Sequence, residues 1–188
     1  MKEETICGSC LNALRLLADP EVKTAAHITV KVPFRLNWSD YGLEKAVGAS
    51  YIRVCGTYRE RWRGKPFVSF ECGPPPLKKL WRLDNGQPFY PHITLYHGGS
   101  LDIANLVFDI VSSFSYHFRF SGKCFAVSKK TARRVDSPYP ITFCPQIIEE
   151  IVGINIDPMT ICGMTLQMRL DAIGKICGYI SCQSTMAI

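Results

Sequence analysis

Leu11, Leu14, Leu17 and Ala18 recur at the spacing of one helix face until Pro20 interrupts them, which predicts a short N-terminal helix. The pattern then changes period. "AHITVKVPF" and, further on, "SYIRVCGTYRER" are dense in β-branched and aromatic residues and predict strands. Between them "WSDYGLEKAVG" predicts a helix of about two turns, with Ser39 or Asp40 as its N-cap and a glycine near its end. A similar order follows: "KPFVSFECG" as a strand, "PPPLKKLWRL" as a helix with prolines in its first turn, and "FYPHITLY" as a strand. "SLDIANLVFDIVSSF", capped by Ser100, is the next helix, and "YHFRFSGKCFAVS" the strand after it.

Helix, strand, helix, strand thus occurs twice, although a leading strand for the first half can only be the short "ETICGS". The pattern predicts an α+β fold of two pseudo-symmetric lobes, each a small antiparallel sheet with helices on the outside, around a central cleft. Lobe one spans about residues 1–63 and lobe two about 64–127, followed by a C-terminal extension, 128–188. Within the extension "PQIIEEIVG" predicts a short helix, and the basic run "SKKTARRVDSPYP" a loop over the cleft or at a dimer contact. The last segment fits two periods. Leu166, Met168 and Leu170 alternate as in a strand, whereas Leu166, Leu170, Ile173 and Cys177 repeat as in a helix. A hairpin turning near Asp171 to Gly174 is the expectation, slightly ahead of the helix.

Composition narrows the class. With 188 residues, 47% hydrophobic and 20% charged, the chain has the make-up of a folded domain. No stretch approaches the roughly 18 uninterrupted apolar residues of a membrane span, and "MKEETICGSC" has no secretory pattern, so a cytoplasmic location and no membrane partner are expected. Nine cysteines, an odd count, suit reduced thiols better than a disulfide framework. Cys7 and Cys10 have the spacing of half a zinc site, but no second close pair completes one. The net charge of +6 leaves an anionic partner unopposed.

Two short frames carry chemistry: His27-Ile28-Thr29-Val30 and His92-Ile93-Thr94-Leu95, which use two of the four histidines and lie 65 positions apart. On a strand, alternate side chains share a face, so His27 and Thr29 form one polar pair and His92 and Thr94 another, each backed by aliphatic anchors. Facing each other across a cleft, the pairs would supply two imidazoles for proton transfer and two hydroxyls for the oxygens of a phosphate. Such a set requires neither metal nor cofactor. By the same alternation Lys31 and Tyr96 continue the two polar faces towards a substrate. Arg53 and Tyr58, in the basic and aromatic stretch "RVCGTYRERWRGK", and Trp38, after the first frame, are further candidates for substrate contact. His97 and His117 read as ordinary loop and strand residues.

With both frames complete and similarly flanked, residues 5 to 127 resemble the 2H phosphoesterases, a family named for two such boxes on a two-lobed α+β fold. The resemblance implies His27 and His92 as acid and base, and Thr29 and Thr94 as the phosphate-holding pair. It implies a hydrolase for 2',3'-cyclic phosphates or for 2'-5' or 3'-5' linkages, in a cyclic nucleotide, an oligonucleotide or an RNA end. The short leading strand and about 60 trailing residues depart from the family's pattern. A protein of another class, a non-catalytic nucleotide- or RNA-binding module, would present the same residues.

Overall fold

The computed structural model describes residues 3–27, 50–62, 64–72, 92–116, 119–122 and 141–185. Its first element, α1 (Glu3–Ala18), already occupies the stretch expected to hold a leading strand, so "ETICGS" is helical. From Ser9 to Ala18 every residue except Asn12 is buried. Burial on nearly all sides makes α1 a core helix and not a surface helix with one apolar stripe.

Four strands form one sheet in the order β3-β2-β1-β4, with every neighbouring pair antiparallel: β1 (Ser50–Trp62), β2 (Lys65–Cys72), β3 (His92–Tyr96) and β4 (Arg119–Gly122). Ser50–Arg53 of β1 pair with β4, and Val54–Trp62 pair with β2. Because Trp62 pairs with Lys65, β1 and β2 are joined by a two-residue connection, and Gly64 within it has φ +78°. That left-handed conformation is nearly free for glycine and suits the tight hairpin. The lobe boundary expected near residue 63 therefore falls inside a hairpin, and strands from both sides of it share a sheet. Each ladder of β2 has one irregularity, leaving Cys55 extra opposite Glu71 and Cys72, and Leu95 extra opposite Val68 and Ser69.

α2 (Leu101–Ser112) starts as its sequence predicts, with the Ser100 hydroxyl accepting from the Ile103 amide at 3.2 Å, and it packs on β1 and β2. α3 (Pro145–Val152) ends at Gly153, whose φ of +82° lets its amide return to the Glu149 carbonyl at 2.8 Å. α4 (Pro158–Gly163) is opened by Asp157, which accepts from the Met159 and Thr160 amides while the Thr160 hydroxyl faces the Asp157 amide.

The last segment is α5 (Leu166–Thr185), which overturns the expected hairpin. Leu170, Ile173, Ile176, Cys177 and Ile180 are buried along it, whereas Met168, which the strand reading needs on the same face as Leu166 and Leu170, is 46% exposed. The helical period prevails because α5 has partners for that stripe, touching α1, α2 and α3. Two cations finish neighbouring helices: Arg169 Nη1 donates to the Leu17 carbonyl of α1 at 3.0 Å, and Lys175 Nζ to the Val152 carbonyl of α3 at 2.7 Å. The trailing helices α3 to α5 thus contribute to the same buried cluster as α1 and the sheet, which joins Leu14, Phe70, Ile93, Ile148 and Ile173. The helices expected at 38–48 and 74–83 and the basic run 128–140 lie outside the described residues.

Ile176→Ala should lower unfolding free energy by about 2–5 kcal/mol, since the side chain is fully buried, whereas exposed Met168→Ala should stay within about 0.5 kcal/mol. Denaturant titration of the two variants checks this. Burial pushes the Cys177 thiol up to about 12, so at neutral pH alkylation should label exposed Cys162 in the native protein and Cys177 only after unfolding.

Candidate functional site

β3 presents the second box as its alternation predicts: His92 and Thr94 are half-buried, and Ile93 and Leu95 are sealed in the core. Across the ladder Glu71 stands opposite His92 and Ser69 opposite Thr94. The Phe67 ring neighbours two imidazoles, its centroid 5.9 Å from that of His92 and 6.2 Å from that of His97. Ser69 is fully buried and its hydroxyl has no hydrogen-bond partner. Such a group costs about 1–3 kcal/mol, a cost that stands out beside a candidate phosphate-holding threonine.

The alternation fails one residue past the box. With Leu95 as the extra residue, Tyr96 pairs with Val68 and lies in the core, only 4% exposed. Its hydroxyl donates to the Ser100 carbonyl at 3.1 Å and accepts from the Ser100 amide at 3.0 Å, tying down the turn into α2. Gly98 leaves room for the ring, because a Cβ there would collide with it. Tyr96 therefore does not continue the His92 and Thr94 face, which corrects its assignment to substrate contact. The bulge brings exposed His97 beside Phe67 instead, and only a register, not a spacing, signals that.

His27 lies on the segment that leaves α1, and that segment is held by α1's own side chains. Asn12 accepts from the Ala26 amide at 2.7 Å and donates to the Thr142 carbonyl at 2.7 Å. Arg15 donates from Nε to the Thr24 carbonyl at 2.7 Å, from Nη2 to the Thr24 hydroxyl at 2.8 Å, and from Nη1 to the carbonyl of Thr94 in the second box. One turn before Asn12 the Ser9 hydroxyl accepts from the Cys144 amide at 3.1 Å. Ser9, Asn12 and Arg15 are three residues apart and so form one polar stripe on a buried helix. Polar residues at helical spacing within an apolar run were the available sequence signal for Arg15.

Arg15 is only 6% exposed, and burial lowers its pKa, with Asp19 opposing. A guanidinium nonetheless stays charged at neutral pH, which requires its donors to be matched by acceptors. Its charge reaches the first box. His27 keeps an open side to water, yet its pKa is lowered, first by the protein packed around the ring, then by the charges of Arg15 and of His92, with a bond to the Ala25 carbonyl opposing. The box histidines, 65 positions apart in the chain, are thus near enough for the charge of one to disfavour charge on the other.

Thr29, Lys31 and Trp38 lie outside the described residues. Arg53 and Tyr58 fall in β1, paired in register with Arg119 and Ser69, so Tyr58, Ser69 and Thr94 occupy one row across the sheet. Among the described residues no group of three or more histidine, cysteine or acidic side chains is arranged to hold a metal, and no helix is long and apolar enough to cross a membrane. No protein-family model, curated protein or solved structure matches the chain.

Tyr96→Phe should cost about 0.5–1.5 kcal/mol of stability, because the half-buried Ser100 backbone groups lose their partner, and leave ligand affinity at the His92 face unchanged. Thermal unfolding and a binding isotherm together check this. A large loss of affinity with stability intact would return Tyr96 to the ligand.

Proposed function

We propose that the chain is a two-histidine phosphodiesterase of the 2H type, acting without a metal on cyclic or oligonucleotide phosphodiesters in the cytoplasm. The observation that carries the reading is the electrostatic proximity of His27 and His92, each the first residue of a His-Ile-Thr frame. Displacement at phosphorus needs a proton acceptor at the entering oxygen and a proton donor at the leaving oxygen, roughly in line. The lowered pKa of His27 favours a neutral ring there, which the acceptor role requires. The exposed side of His27 and the half-buried face of His92 and Thr94 leave the groups open to a substrate.

For a 2',3'-cyclic phosphate the neutral imidazole takes a proton from water as its oxygen bonds to phosphorus. The bond to one ribose oxygen breaks, and the imidazolium returns a proton to it, giving a phosphomonoester. For an oligonucleotide the entering oxygen is a neighbouring 2'-hydroxyl and the product is a cyclic phosphate. The Thr29 and Thr94 hydroxyls donate to the non-bridging oxygens, where negative charge concentrates. A pseudo-twofold relation between two lobes, one around each box, completes the proposed architecture.

The test is turnover of a panel of 2',3'-cyclic nucleotides, cyclic dinucleotides and linear 2'-5' and 3'-5' dinucleotides, with excess chelator present. Activity should persist under chelation. His27→Ala and His92→Ala should each lower kcat by about 10²–10⁴, and the pair together by far less than the product of the single losses. Thr94→Val should cost about 10²–10³ in kcat with the pH profile unmoved. Tight binding of the panel without turnover would identify a binding module, and near-normal activity in either histidine variant would remove the acid-base pair.

A further inference from the structure

On the reading of His27 and His92 as an acid-base pair rests a further assignment. We propose that Arg15 is the positioning residue of the site: its buried guanidinium holds the segment entering His27 and the strand carrying His92 at a fixed separation, and presents His27 as the proton acceptor.

The geometry has three parts. Arg15 spends two donors on Thr24, three residues before His27, and a third on the Thr94 carbonyl, so one planar fork links the segment entering His27 to the second box. Asn12, one turn away, holds the Ala26 amide and prevents the intervening residues from swinging out. The Ala25 carbonyl then lies 2.8 Å from His27 Nδ1. A carbonyl can only accept, so Nδ1 carries the proton and Nε2 of the neutral ring keeps its lone pair. That is the tautomer of a general base whose accepting nitrogen points away from its own backbone anchor.

Charge acts in the same direction. The groups that bear on the His27 ring are Arg15 from α1 and His92 from β3, both disfavouring imidazolium. Asp19 acts on Arg15, and Glu71 is the register partner of His92. A lowered pKa keeps the His27 ring neutral, as a proton acceptor must be. Removing the Arg15 charge must raise the His27 pKa and move the acid limb of kcat/KM to higher pH.

The four histidines make a direct titration by NMR of the imidazole resonances practical in the full chain, without reference to activity. In the wild type, His27 should titrate below an ordinary imidazole. Arg15→Gln should raise its midpoint and shift the acid limb of kcat/KM with it. Arg15→Lys keeps the charge but not the fork, so the midpoint should stay low while kcat falls about 10–100-fold. Thr24→Val removes one acceptor, leaves Arg15 in place and should lower kcat with KM nearly unchanged. If Arg15→Gln does not fold, the lysine and valine variants decide, and wild-type kcat in both overturns the proposal. An unchanged His27 midpoint in a folded Arg15→Gln variant also overturns it. Loss of the phosphodiesterase reading appears separately, as absent turnover of the panel by the wild type or indifference of turnover to the histidine substitutions.

Discussion

A guanidinium removed from water is stable only where its donors find acceptors, and around Arg15 those acceptors come from two distant parts of the chain. Thr24 lies nine residues downstream and Thr94 seventy-nine, so the bonds of one side chain require the segment that leads into His27 to approach β3. Hydrophobic contact alone has no such directionality. The apolar positions of α1 place the helix in the core, and its polar stripe then selects which segments may surround it. Ser9 and Asn12 repeat the device on Cys144, Thr142 and Ala26, so the C-terminal part is drawn to the same helix as the two boxes.

That arrangement gives the trailing helices a role in the site without touching it. α5 covers α1, and Arg169 satisfies the exposed carbonyl end of α1 at Leu17. The helix that carries Asn12 and Arg15 is thereby immobilised from behind. On the proposed acid-base reading such local order matters, because donor and acceptor must be held to a fraction of an ångström. The same packing explains why no surface-type polar face is found on α1 between Ser9 and Ala18: sheet and helices surround it.

On the sheet, one extra residue changes what the second box offers. Up to Leu95 the period of two holds, with His92 and Thr94 on one side and Ile93 on the other. The bulge then sends Tyr96 into the core and turns His97 towards Phe67. The exposed neighbour of the box in the chain is thus an imidazole and not a phenol. Ser69, buried without a partner opposite Thr94, marks the same row as the place where polar capacity is left unspent.

The sequence by itself determined the local elements whose signals are local: the two segments that become β1 and β2, the Ser100 cap of α2, the short helix α3 and the alternation of His92 to Leu95, whereas the hairpin joining β1 to β2 across the expected lobe boundary came from the tertiary structure. It also marked the two His-Ile-Thr frames, because a repeated motif is visible without coordinates. Whether Leu166 to Cys177 is strand or helix was undecidable locally, since both periods are present, and only the apolar surfaces of α1, α2 and α3 choose between them. The stretch "ETICGS" has β-forming residues yet continues a helix whose stability comes from burial further along. The position of Tyr96 depended on a register, and the importance of Arg15 on which carbonyls surround it. Register and long-range hydrogen bonds are relations between segments, and no single segment contains them.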